Sequence, residues 1–170
     1  MSASCLPKLE VCKNLAEWEI YEEYLYSIFK ADFLANPLRF NGKFVRTRQY
    51  PKINDREEAF YHITCKNYFN PKERDPDLRR CERIRWARWF IENYPKCKQC
   101  LDSSCSGIKI WKEPYKQNRC RYHLFLEDER YLVILEERSN YYLLITAYYI
   151  EYKHSFETQI QNYNKYKSSS

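Results

Sequence analysis

Residues 119–150, RCRYHLFLEDERYLVILEERSNYYLLITAYYI, constrain this chain more than any other stretch. β-branched and aromatic residues are dense in it, and the polar clusters at 127–130 and 136–140 recur at the spacing of turns between strands. Successive side chains of a strand point to opposite faces. In the first run Cys120, Tyr122, Leu124 and Leu126 therefore share one face, and Arg119, Arg121, His123 and Phe125 share the other. The runs 131–135 and 141–150 are nearly continuously apolar, the pattern of strands covered on both faces. Short connections make neighbours antiparallel, so the stretch reads as a meander, with residues 108–111 as a further strand ahead of it.

A sheet of this kind needs helices, and the remaining sequence supplies them. Residues 14–35 read as a helix: Asn14 can cap it, Glu17 stands three positions on, and Leu15, Trp18, Tyr21, Leu25 and Ile28 make one apolar stripe. Asn36-Pro37 ends it. Residues 78–94 read as a second helix ending before Pro95, with Ile84, Ala87, Ile91 and Tyr94 on its inner face. Its outer surface carries Arg79, Arg80, Arg83, Arg85 and Arg88. Asn41-Gly42 marks a hairpin within 39–50. Residues 57–66 fit helix or strand, with a strand through 60–65 favoured. Residues 153–166 give a closing helix through Phe156, Ile160 and Tyr163. The expectation is an α+β fold, with helices on one side of an antiparallel meander sheet formed by about residues 39–65 and 108–150. An acidic N-terminal helix (1–37) would precede an α+β domain (38–166) and a tail (167–170).

Composition narrows function. Two glycines among 170 residues leave no Gly-rich phosphate loop. The net charge of +6 is uneven, because residues 1–37 hold three lysines against six acidic residues. The basic remainder favours a polyanion, nucleic acid before membrane. The start lacks the pattern of a signal peptide, and no run of about 18 apolar residues occurs. The expected compartment is cytoplasmic, with cysteines as thiols or metal ligands rather than disulfides. Cys97, Cys100 and Cys105 fall within nine residues. With Cys120, Cys81 or His123 as a fourth ligand they offer a structural zinc site, the alternative being thiols in a loop.

The carboxylates assemble no divalent-ion set, which points any nuclease chemistry towards metal-free acid–base work. The histidines are His62, His123 and His154; His123 shares its strand face with Arg119 and Arg121, and His62 has Lys66 four residues on. The runs RIRWARWFIEN and RYHLFLEDERYLVILEERSNYYLLITAYYIEYKHSFETQIQNYNKY, with Tyr61-His62-Ile63 before them, resemble the phage-associated ribonuclease-like families of the barnase/EndoU/colicin/RelE-like fold. The matching positions are Tyr131, Val133, Leu135, Leu144, Thr146, Ala147 and Tyr148, and the likeness spans residues 39–166. It implies metal-independent RNA cleavage with His62, Thr146 and arginines of the helix or sheet in the site. The expected roles are His62 as general base, Thr146 and Tyr148 positioning phosphate, His123 as a further catalytic candidate, and Arg83, Arg119, Arg121 and Lys66 holding RNA. A toxin-type nuclease would have an inhibitor or antitoxin as partner. The rival expectation is a non-catalytic RNA- or protein-binding module using the same basic, aromatic surface.

Overall fold

The computed structural model describes residues 5–66, 74–97 and 103–169. Asn14 caps the first helical turn, its side chain accepting from the Ala16 N–H at 3.1 Å. Helix α1 (Trp18–Phe29) follows and continues as a π-helical turn, Lys30–Ala35, that stops at Asn36. Strands β1 (Arg39–Phe40) and β2 (Lys43–Thr47) are joined by Asn41 and Gly42, both at positive φ, as a tight hairpin turn requires. Next come helix α2 (Glu58–Thr64) and the short strands β3 (Cys65–Lys66) and β4 (Asp75–Pro76), which pair with each other. Helices α3 (Leu78–Glu82) and α4 (Trp86–Cys97) lead into β5 (Lys109–Tyr115), β6 (Arg119–Leu126), β7 (Tyr131–Glu137) and β8 (Tyr141–Tyr149). Helix α5 (Lys153–Tyr166) and, where a tail was expected, a 3-10 turn (Lys167–Ser169) against β5 close the described chain. None of the described helices is long and apolar enough to cross a membrane.

The fold is α+β, and the meander β5–β8 forms as expected. Several features differ from the sequence expectation. Residues 58–64 are helix rather than strand. Glu58 lies in the first turn, where the helix dipole favours a carboxylate, and Thr64 returns its hydroxyl to the Phe60 carbonyl at 2.8 Å. The arginine-rich helix is two helices: Arg83 leaves helical geometry at φ −100°, ψ 19°, and the Tyr131 hydroxyl donates to its carbonyl. The second of these runs through Pro95, whose ring forfeits a single backbone bond. Burial of Trp86, Ala87, Phe90 and Ile91 holds the helix regardless. The sheet is mixed, ordered β1-β2-β8-β7-β6-β5, because β2 lies parallel to β8 through Phe44↔Tyr141 to Thr47↔Leu144. Residues 65–66 stand outside this sheet, in the β3–β4 pair.

Helices also cover both faces rather than one. The larger core joins Leu25, Ile28 and Phe29 of α1, Phe60 and Ile63 of α2, and Trp86, Phe90 and Ile91 of α4 to Leu124, Val133, Leu135, Leu144 and Ala147 of the sheet. The N-terminal helix thus shares the core of the rest. On the opposite face Trp111, Phe125, Leu132 and Ile150 form a second core, capped by Phe156, Ile160 and Tyr163 of α5. This second core occupies one end of its face. The other end holds polar side chains.

Candidate functional site

Strand β8 sets the geometry. Ile134 opposes Thr146 while Leu135 opposes Leu144, so Ile145 is the extra residue of a bulge. Without it, a period of two would put Thr146 on the same face as Leu144. With it, Ala147 keeps the larger core and Thr146 joins the face of Ile134. Along β8, strand β2 reaches only residues 141–144, and beyond them α2 and α3 pack against the strand. That contact brings His62 to the sheet. The Thr146 hydroxyl donates to the His62 carbonyl at 3.0 Å, and Arg80 Nη1 donates to the same oxygen at 3.2 Å.

The His62 side chain is 12% exposed, with Nε2 3.6 Å from Glu58 Oε1. It lines a pocket of about 220 Å³ with Arg48, Ala59, Arg121, Leu143, Leu144 and Ile145. Burial drives the imidazole pKa below its ordinary value. Glu58 pulls it up, while Arg48 and Arg74 push it further down. The net result is a neutral ring at neutral pH, able to accept a proton. Arg48 Nη1 lies 3.6 Å from Glu58 Oε2, so one carboxylate faces both the imidazole and a guanidinium.

Arg121 is fixed from the other side. In cross-strand register, Arg46, Leu143, Glu136 and Arg121 form one row over β2, β8, β7 and β6. The Glu136 side chain is 1% exposed, and three guanidiniums surround it: Arg119 Nη1 at 3.0 Å, Arg121 Nε at 3.0 Å and Arg138 Nη2 at 2.6 Å. Burial alone would raise the Glu136 pKa. The Arg121 hydrogen bond and the charges of Arg138, Arg121 and Arg119 overcome it and hold the carboxyl below its usual range. Arg121 also stacks on Tyr115 at 3.4 Å, and Arg46 on Tyr141 at 5.1 Å. Around this end of the sheet Arg46, Arg48, Arg119, Arg121 and Arg138 stand against Glu57, Glu58 and Glu136, leaving positive charge in excess.

The other expected residues are placed apart. His123 is buried, stacked on Trp111 with centroids 5.0 Å apart and planes 8° from parallel, and Nδ1 is 3.9 Å from Glu113 Oε1. Burial lowers its pKa to about 4, against the upward pull of Glu113. The ring is part of the second core and does not line the His62 pocket. Tyr148 and Lys66 line a separate pocket of about 240 Å³ with Arg80, whose guanidinium lies 4.9 Å from the Tyr148 ring. Arg83 spends itself on the rings of Tyr149 and Trp86 and on the Arg79 carbonyl. Of the four candidate zinc ligands, Cys100 lies outside the described residues. Cys97 and Cys105 pack at the margin of the larger core, and Cys120 is half-buried on β6. Among the described residues no three His, Cys, Asp or Glu side chains are grouped to hold a metal ion.

Comparison with protein-family models, with curated proteins and with solved structures finds no match. The residues of the site therefore carry the functional argument. Sequence reading named His62, Arg121 and Thr146, but passed over Arg48, Arg80, Arg138, Glu58 and Glu136. Arg48 had one available signal, its place in the charged run after the Asn41-Gly42 turn. Glu136 opens the polar run 136–140 that reads as a turn, and the pairing of β7 with β6 puts it opposite Arg121.

Proposed function

We propose that the chain is a small, metal-independent ribonuclease that cleaves RNA by transesterification in the His62 pocket. The observation that most supports this is the meeting, in one pocket, of an imidazole held neutral by burial with the guanidiniums of Arg48 and Arg121. The neutral ring suits a base: it takes the proton of a ribose 2′-hydroxyl, and the freed oxygen attacks the adjacent phosphorus. The two guanidiniums offset the charge that grows on the phosphorane. The P–O5′ bond then breaks, the 5′-oxygen takes a proton from water, the hydroxide so formed recovers the proton from His62, and a 2′,3′-cyclic phosphate is left. Thr146 and Arg80 act as positioning residues through the His62 carbonyl. Glu58 and Glu136 are engaged by His62 and arginines, so the chemistry assigned to the pocket is acid–base and electrostatic. The run 121–166 resembles ribonuclease-like families, and the reading places the protein in the cytoplasm. An inhibitor or antitoxin would belong over Arg48 and Arg121.

A second reading, a non-catalytic RNA-binding module, draws on the arginine–aromatic pairs outside the pocket, Arg46 on Tyr141 and Arg121 on Tyr115, where bases could stack. Incubating RNA with the protein in EDTA separates the two. The ribonuclease reading expects strand breaks with 2′,3′-cyclic phosphate ends, and none where the attacked ribose is 2′-deoxy. Bound but intact RNA selects the module, and breaks that require added magnesium contradict the mechanism.

A further inference from the structure

Three pockets follow one another along β8. The first, about 680 Å³, is lined by Tyr141 and Leu143 with Arg46, Arg48, Gln49 and Arg138. The second is the His62 pocket at residues 143–145, sharing Arg48 and Leu143 with the first. The third is lined by residues 148–150 with Lys66, Arg80 and Tyr152. The wall between the second and third is the His62 carbonyl, tied to Thr146 and to Arg80. From Tyr141 to Ile150 the strand covers about 30 Å at roughly 3.3 Å per residue. Every pocket presents cations beside an aromatic or apolar floor, and the buried Nε of Arg138 has no hydrogen-bond partner among the described residues.

Resting on the ribonuclease reading, we propose that the substrate is an extended single strand of RNA laid along β8. Its scissile phosphate sits at His62, and neighbouring nucleotides occupy the pockets at Arg46/Arg138 and at Lys66/Arg80. Alternating cations and rings suit a chain of alternating phosphates and bases. A row of separate concave pockets gives a duplex, whose bases are stacked inward, nothing to insert. The carboxylates of Asp77 and Glu151 at the third pocket balance Lys66 and Arg80, whereas the first keeps an excess of cations. The outer contacts at that end therefore depend on Lys66 and Arg80.

The test uses 2′-O-methyl RNA oligonucleotides, which cannot be cleaved, as a di-, tetra- and hexanucleotide, with fluorescence anisotropy giving Kd. Affinity is expected to rise about tenfold at each step in length. Arg46→Gln and Lys66→Gln, both at exposed side chains, should weaken the hexanucleotide about tenfold and the dinucleotide less. A hexanucleotide in duplex form should bind more weakly than the single strand. Affinity independent of length, equal losses at all lengths, or tighter duplex binding each overturn the proposal. Because these probes report binding alone, a protein that cleaves unmodified RNA but shows no length dependence loses this inference and keeps its ribonuclease reading. One that shows the length dependence but leaves unmodified RNA intact keeps the single-strand track along β8 and loses both the ribonuclease reading and the scissile phosphate at His62.

Discussion

His62 and His123 are both buried, and what lies around each ring separates their uses. His123 is stacked on Trp111 within the second core, and its pKa is lowered to about 4. A histidine depressed in the folded state adds stability in full above its unfolded value near 6.5, and loses it as pH falls from there towards 4. Up to roughly 3 kcal/mol of the decline in folding free energy over that window should come from this ring. Urea unfolding from pH 7 to pH 4 should show it, and His123→Phe should flatten that part of the curve. At His62 the pull of Glu58 opposes burial. The acid limb of kcat/KM is therefore expected below 6.5. Glu58→Gln should move it lower still, because the carboxylate that raises the pKa is gone. A limb that moves up in that variant would contradict His62 as the base. Sequence could nominate both rings but not rank them, since the Trp111 that stacks on His123 arrives from a neighbouring strand across register. Glu136 is hidden for a similar reason: Arg119 and Arg121 of β6 and Arg138 of the turn after β7 converge on it only once β6 and β7 are paired.

At the scale of elements, the bulge at Ile145 and the covering of β8 by α2 bring the site together. Thr146→Val keeps the β-branched shape and removes the donor to the His62 carbonyl. A stability loss of about 1 kcal/mol is expected, the usual net worth of such a bond, together with slower cleavage at unchanged RNA affinity. Trp111→Ala should cost roughly 3–5 kcal/mol in urea unfolding, because it opens a cavity under α5 and unstacks His123. The meander, the hairpin at Asn41-Gly42, the first helix and α5 were legible because each is written in local periodicity, capping or turn residues. Residues 57–66 were not, because a short apolar run suits a buried strand or a buried helix, and the β8 edge it covers is over 80 residues away in sequence. The parallel β2–β8 pair escaped for the same reason: local spacing reports only neighbours joined by short turns.

For the molecule as a whole, charge is segregated. Glu19, Glu22 and Glu23 lie on α1, while arginines gather at the end of the sheet that α5 leaves uncovered. RNA affinity should accordingly fall steeply with added salt as counterions are released, and a salt-insensitive affinity would remove the polyanion from the account. The proposed chemistry rests on one side chain. The most direct test is the rate of RNA cleavage by His62→Ala in EDTA, measured beside its RNA affinity and its folding by circular dichroism. A fall of roughly 10²–10⁴-fold in rate, with fold and affinity kept, is the predicted result. Cleavage by the folded variant at the wild-type rate would contradict the account.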